Sequence, residues 1–355
     1  LRPNSKSGPA LENKKRYKPA RDFGWRTGSV LLLWMIMALL FTSKSFSQST
    51  SLNGYLQGRF TDDYREVTGF SIRRAKLWVA GQAPVPGNWF YKVQGIFKYQ
   101  NEGSFTLQDV YGEYRLGPGH LRLGQMVPDF SLQRSQPDYD IPVVERAGVV
   151  NALIPSAETG ARDIGVQAHK QTATKIIQVS AGMFNGNGGN KAGNEDRKFL
   201  FTHRLHFLIS LPKKMEADFG YSLAFRQSSG LAFPKIYGNK TLFHGNDFRW
   251  GLEFFLSHPK WAVQSEYIEA YLGDRKASGY YILGDYSITP RNQLVGSLEE
   301  YKDLDSATSN APWYILGFNH YIAGNKAKIM LDSRVQFARR RTNYQSIIQF
   351  QLFFN

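Results

Sequence analysis

Residues 248–256 read Phe-Arg-Trp-Gly-Leu-Glu-Phe-Phe-Leu. Every second position, Phe248, Trp250, Leu252, Phe254 and Leu256, is apolar, and Arg249, Gly251 and Glu253 fall on the alternate positions. Successive side chains of an extended strand point to opposite faces, so this stretch presents one greasy and one charged face. In 88–99, Trp89, Tyr91, Val93, Phe97 and Tyr99 oppose Lys92, Gln94 and Lys98. In 326–339, Ile329, Leu331, Val335 and Phe337 oppose Lys328, Asp332, Arg334 and Gln336. The last segment sets Ile348, Phe350, Leu352 and Phe354 against Gln349 and Gln351.

From about Leu52 onward the pattern predicts about 16 strands: 52–61, 69–81, 88–99, 105–116, 119–126, 162–171, 175–185, 197–210, 215–227, 245–257, 260–272, 277–288, 292–302, 312–323, 326–339 and 343–354. The breaks between them alternate. Tight turns such as Gly117-Pro118-Gly119, His258-Pro259 and Gly324-Asn325 follow longer ones such as Asp129–Arg162 and Ser228–His244. Half-apolar strands joined by hairpins of alternating length satisfy all their backbone groups in a bilayer only by closing on themselves. A lipid-facing charge near the midplane costs roughly 2–4 kcal/mol, so the charged faces must turn inward. The expected fold class is all-β: a transmembrane antiparallel β-barrel in a bacterial outer membrane, with both termini in the periplasm and transport as the default role. A soluble β-sandwich or secreted β-helix is the alternative. Trp and Tyr near strand ends and the alternating loop lengths weigh against it.

The N-terminus fits export. Val30–Phe41 is a short apolar run preceded by Arg21 and Arg26 and followed by Ser45-Phe46-Ser47, a small-x-small exit before Gln48. A spanning helix needs about 20 apolar residues, so a cleaved signal peptide is expected, with a short membrane anchor as the alternative. Residues 1–47 are read as basic leader plus signal peptide, and 48–355 as the barrel. The basic region is long and starts at Leu1, which suggests a start upstream. The chain holds 44 basic and 29 acidic residues, of which nine and two fall in 1–47, so the remainder carries about +8. A basic excess attracts nucleic acid, anionic lipid or small anions, and export removes nucleic acid from that set. There is no cysteine, which excludes disulfides and a lipoprotein anchor. Mean hydropathy is −0.39, as a barrel allows because only alternate residues meet lipid.

The break 129–162 stands apart. It is long for a loop, and it carries Ile141, Val143, Val144, Val149, Val150, Leu153 and Ile154, so it has apolar surface to pack. Such a third loop can fold into the lumen and narrow it. An external flap or partner-binding loop is the other reading.

Five segments then carry a resemblance: Phe70–Leu77 (FSIRRAKL), Asp109–Tyr114 (DVYGEY), Leu121–Gln125 (LRLGQ), Val144-Glu145-Arg146 and Ala161–Val166 (ARDIGV). In order and spacing they resemble landmarks of the phosphate-selective porins of the O and P family. The likeness covers most of the first half of 48–355, and the second half agrees in strand rhythm only. It implies a sixteen-stranded barrel, usually trimeric, whose third loop lines an arginine-rich constriction. The double arginine of the second strand falls on Arg73 and Arg74, and the loop arginine on Arg146. Guanidinium groups stay charged and match phosphate oxygens bidentately, so they can replace the water stripped from a passing anion. Consecutive arginines cannot both face inward in a regular strand, so Arg73 or Arg74 needs a bulge or a place beyond the bilayer core. The alternation alone adds Lys76, Lys92, Lys98, Arg115, Arg204, Arg249, Lys328 and Arg334 as pore-lining candidates, with Asp109, Glu113, Glu253 and Asp332 able to neutralise part of their field. Where family members carry a serine pair upstream of the Glu-Arg, this chain has Pro137 and Asp138, with Asp140 close by. Carboxylates there would repel phosphate, so general anion preference is expected, with phosphate or polyphosphate as candidate solutes.

No catalytic constellation is legible. The seven histidines form no Ser/His/acid arrangement, and His203 and His206, three apart on one strand, point to opposite faces. The run Asn185–Asn194 (NGNGGNKAGN) lacks the Lys-Ser/Thr ending and following helix of a phosphate cradle, and reads as a flexible external loop. No calcium loop or zinc spacing occurs. The chain is therefore read as no enzyme, without cofactor or metal. It is expected to be an outer-membrane diffusion channel for small hydrophilic solutes with anion preference. Its partners are then small anions, outer-membrane lipid and the further copies of itself that the resemblance implies. A non-transporting barrel subunit of a larger surface complex is the rival.

Overall fold

A computed structural model describes residues 50–98, 104–194, 196–237, 242–304, 310–339 and 341–354. The expected leader and signal peptide lie outside the described residues. Sixteen strands follow one another: β1 Ser51–Asp62, β2 Thr68–Gln82, β3 Trp89–Lys98, β4 Ser104–Leu116, β5 Gly119–Met126, β6 Asp163–Gln171, β7 Ile177–Phe184, β8 Leu200–Leu211, β9 Met215–Ala232, β10 Leu242–His258, β11 Trp261–Leu272, β12 Arg275–Thr289, β13 Asn292–Lys302, β14 Trp313–Tyr321, β15 Ala327–Ala338 and β16 Arg341–Phe354. Each pairs antiparallel with its neighbour, and β1 pairs with β16 from Gly54↔Phe354 to Asp62↔Ser346, which closes the barrel and leaves no free edge.

The alternation sets which face is which. In β10, Phe248, Leu252 and Phe254 are 37%, 54% and 42% exposed, while Asp247, Arg249 and Glu253 are 2%, 1% and 6% exposed. The apolar positions are the outer wall, and the charges sit inside. The hairpin β9–β10 runs past its expected ends, to Ala232 and back from Leu242, and Leu242 still pairs with Ala232 beyond a one-residue register shift at Phe243/His244. A ladder can extend into water because its hydrogen bonds do not need lipid, so strand ends are not bounded by the greasy stretch.

One part of the inner wall breaks the polar-inside rule. Ile268, Ala270 and Leu272 of β11, Ala277, Tyr281 and Leu283 of β12, and Val295 of β13 are all buried within one apolar cluster. Their partners in that cluster come from the segment between β5 and β6: Phe130, Ile141, Val143, Ala147, Val149, Val150, Ala152, Leu153, Ile154, Ala157 and Ala161. This segment holds two short helices, α1 Leu132–Ser135 and α2 Gly148–Leu153. The loop therefore brings its own hydrophobic face, and the wall beneath it is built to receive it. Gly279 of β12 marks the contact, because a Cβ there would crowd the Glu300 carbonyl of β13 and lie 2.9 Å from the Val149 side chain. Gly279→Val should push α2 off the wall. Greater protease cleavage at 148–154 in the folded, detergent-solubilised barrel would show it, and unchanged protection would refute it.

Candidate functional site

Two irregularities in the ladder gather the charges. Between β1 and β2, Gln57 pairs with Arg74 but Gly58 pairs with Ile72, so Arg73 is an extra residue on β2. Between β3 and β4, Val93 pairs with Val110 but Gly95 pairs with Leu107, so Gln108 and Asp109 together oppose Gln94. A bulge turns an extra side chain to a face that strict alternation would deny it. Arg73 and Arg74 consequently both reach Glu145 in the long loop: Arg73 Nε lies 2.5 Å and Nη2 3.0 Å from its carboxylate, and Arg74 Nη2 3.4 Å. Arg59 of β1 joins them at 2.7 Å. Burial pushes the Glu145 carboxyl up, but the hydrogen bond from Arg73 and the charges of Arg74, Arg73 and Arg59 outweigh it and hold it below the usual carboxylate range.

A second carboxylate, Asp138, takes ion pairs from Arg146 and Lys76 and lies 3.5 Å from Arg74 Nε. The Tyr55 hydroxyl donates to it at 3.4 Å. Arg146 also fixes its own loop, donating from Nε to the Gln133 carbonyl at 3.0 Å and from Nη2 to the Gln136 carbonyl at 2.5 Å. A third carboxylate, Asp109, receives Lys92 Nζ at 2.9 Å and Arg162 Nε at 3.0 Å. Arg134 of α1 donates Nη2 to the Gly160 carbonyl at 3.2 Å, its buried Nε has no partner, and no ion pair is formed by it among the described residues. Eight basic side chains thus surround three carboxylates. Buried positive charge without a counter-charge is costly, and an anion entering the cluster would offset part of that cost. Asp138, which read as a repelling charge in the sequence, is instead neutralised by three cations. Asp140 points elsewhere and accepts from Asn325 Nδ2 at 2.9 Å.

A cavity of about 210 Å³ opens in this cluster. It is lined by Lys76, Lys92, Arg134, Arg146 and Arg162, by Asp109 and Asp138, and by Tyr55, Trp78 and Tyr139.

The other residues singled out in the sequence take different places. Arg249 is 1% exposed, held by Asp247 at 2.8 Å, and donates to the Leu153 and Ile154 carbonyls at 2.9 and 2.7 Å. Lys328 is fully buried and donates to the Ile141 carbonyl at 3.4 Å and to Asn325 Oδ1 at 3.1 Å. Both are covered by the loop and hold it, so the expectation that they line an open passage is corrected. Alternation gives the face of a side chain but not what comes to lie on it. Arg204 is likewise buried, between Glu253 at 2.6 Å and Asp129 at 3.2 Å. Arg334 pairs with Asp332 at 3.0 Å. Arg115 is half exposed, pairs with Glu113 at 2.7 Å and lies over the Phe90 ring. Lys98 ends β3, and its side chain lies outside the described residues.

Arg59, Arg134 and Arg162 were missed. Arg59 was legible in principle, since Tyr55, Gln57 and Arg59 repeat at the polar spacing of β1. Arg134 belongs to no periodic segment and carried no such signal, whereas Arg162 heads the expected strand 162–171 and lies in the ARDIGV segment, where only its role was not legible. The run 185–194 is not a free external loop. Its Gly186 and Gly188 N–H groups donate to the Asp163 carboxylate at 3.3 and 3.2 Å, and Asn190 N–H donates to Gln125 Oε1 at 2.6 Å. The glycines let the backbone approach a buried acid, a use that composition alone does not show.

The model of the phosphate-selective porin O and P family matches residues 53–346. The chain belongs to that family. Its solved neighbours are outer-membrane porins with little sequence in common. Pseudomonas putida OprB superposes with a TM-score of 0.62 at 7% identity, covering 90% of this chain and 97% of that one. Salmonella typhi OmpF, solved in complex with daunomycin, gives 0.61 at 12% identity over 86% and 98%. OmpT of Vibrio cholerae in a trimer form gives 0.58 at 10% identity over 86% and 99%. At these identities the likeness shows the barrel alone. No curated protein matches the chain. This porin is an outer-membrane channel, and its family and fold point away from enzymatic chemistry. Among the described residues, no group of three or more His, Cys, Asp or Glu could hold a metal ion.

Proposed function

We propose that this porin is a passive diffusion channel for small hydrophilic solutes with a preference for anions, phosphate and polyphosphate among them. In this reading, 127–162 lies across the lumen. Supporting that placement, the loop bonds to polar-face side chains all round the barrel: Arg59 of β1, Ser222 of β9, Glu266 of β11, Glu299 of β13, Asn319 of β14, Asp332 of β15 and Gln351 of β16. A segment outside the wall could not reach all of these. The passage then runs past Arg73, Arg74 and Arg146, with Lys76 and Lys92 beside them.

The observation that carries the reading is the excess of eight basic side chains over three carboxylates where the loop meets β1–β4. In a narrow passage partly stripped of water, such an excess attracts anions and repels cations. Reversal potential in a planar bilayer under a salt gradient tests it: an anion-selective potential is expected, and a cation-selective one would refute it. An absence of conductance would favour a sealed barrel serving as a subunit of a larger surface complex. The dense packing of the loop against β9–β16 would then be a plug. A cleaved leader at 1–47 and a trimeric assembly complete the proposal. N-terminal sequencing of the mature protein and its mass in detergent test these two parts separately.

A further inference from the structure

The cavity in the cation cluster carries more than charge. Tyr55, Trp78 and Tyr139 line it together with five basic side chains. The three rings and Phe353 form one packed group: Trp78 and Tyr139 are near-parallel, with centroids 6.5 Å apart, and Tyr55 meets Trp78 at 6.2 Å and Tyr139 at 5.6 Å. Trp78 and Tyr139 come from opposite partners, the wall strand β2 and the loop, so the ring wall is complete only while the loop is seated. Trp78 is on the same face of β2 as Arg74 and Lys76, at the next two inward steps.

A bare inorganic anion gains nothing from an aromatic wall. It is strongly hydrated, and a ring face offers it no donors in exchange, while the Tyr55 hydroxyl is already given to Asp138. An ester of phosphate whose organic part is a ring uses both halves. Its phosphoryl oxygens take the guanidinium and ammonium donors, and its ring lies against the aromatic side chains with stacking and dispersion that do not depend on charge. Arg134 supplies a charge for this, since its buried Nε is unpartnered while the other four cations of the cavity already bond Asp109 or Asp138. The volume, about 210 Å³, is larger than a bare phosphate needs and falls short of the roughly 300–1,000 Å³ of drug-sized sites.

We infer that the cavity between Arg134 and the Tyr55–Trp78–Tyr139 wall is a subsite for ring-bearing organic phosphates. The channel would then select these over inorganic phosphate and over phosphate esters without a ring. The inference rests on the anion-channel reading and deepens it by naming the solute class.

The test is block of the chloride current through the purified full-length protein in a planar bilayer. The probes are phenyl phosphate, methyl phosphate and inorganic phosphate. The first two are both monoesters of closely similar charge, and only one has a ring. Phenyl phosphate should half-block at a concentration about tenfold below methyl phosphate. Trp78→Ala should bring the two together while leaving the block by methyl phosphate in place. Trp78→Phe, which keeps a ring and guards against a folding failure of the alanine variant, should retain most of the difference. Arg134→Gln should weaken block by both esters. Equal half-block by phenyl and methyl phosphate in the wild type would overturn the subsite, as would a tenfold difference that survives in folded Trp78→Ala. Neither result touches the anion-channel reading, which the reversal potential decides by itself.

Discussion

Arg146→Ala should lower the anion-to-cation permeability ratio by a factor of roughly five, equivalent to about 1 kcal/mol. The side chain has two tasks. It is one of three cations on Asp138, and it bonds the Gln133 and Gln136 carbonyls that shape the loop's inner turn. Its loss leaves Asp138 with Lys76 and the more distant Arg74, so the local field becomes less positive. It also leaves two carbonyls without their donor, each costing about 1–3 kcal/mol if water cannot reach it. Arg146→Lys separates the two tasks, because an ammonium keeps the charge but cannot bridge both carbonyls and the carboxylate in the same way. The lysine variant should retain most of the selectivity and show a noisier open current. Unchanged selectivity in Arg146→Ala would place the loop away from the ion path. By contrast, Arg73→Ala should have a smaller effect in the same measurement. Its side chain is 30% exposed, and Glu145 keeps Arg59 and Arg74.

Arg249→Ala should free the distal half of the loop. Arg249 is fully buried, grips Asp247 through Nε and Nη2 at 2.8 and 2.9 Å, and ties β10 to the end of α2 through the carbonyls of Leu153 and Ile154. Removing one partner of a buried ion pair typically costs about 3–5 kcal/mol, and Arg226, at 2.8 Å from Asp247, offsets part of it. The barrel ladder does not depend on this contact, so the cost should fall on the loop. Two readouts are expected together: protease cleavage between 148 and 162 in the folded barrel, and a larger unit conductance if, as proposed, the segment occupies the lumen. Cleavage without a conductance change would mean that this half of the loop does not limit the current. Full protection would mean that the apolar face of α2 alone holds it.

The strand pattern was legible because it repeats. Lipid demands an apolar side chain at every second position over about ten residues, and sixteen independent segments meet that demand. Arg249 and Glu253 could be placed inside from their neighbours Phe248, Leu252 and Phe254 alone. The same rule misled where the loop intervenes. Ile268, Ala270 and Tyr281 are inward yet apolar, and Arg249 and Lys328 are inward yet covered, because the surface they face is protein and not water. The double arginine of β2 was visible as a conflict with alternation, and the extra residue in the β1–β2 register is how the fold resolves it. The matching irregularity at Gln108-Asp109 went unread because glutamine beside aspartate in a strand does not by itself signal a conflict.

The sequence by itself determined a closed wall of about sixteen strands and the face of the strand residues outside the register irregularities, since both follow from a period of two imposed by a greasy exterior. Only the tertiary structure decided which charges meet. Glu145, Asp138 and Asp109 collect cations from β1, β2, β3 and the loop, and Arg134 lines the same cavity as Trp78 with no ion pair among the described residues, because a non-periodic segment is positioned by its own packing against the far wall. Contacts across that distance are set by three-dimensional fit, and no local pattern in the chain encodes them.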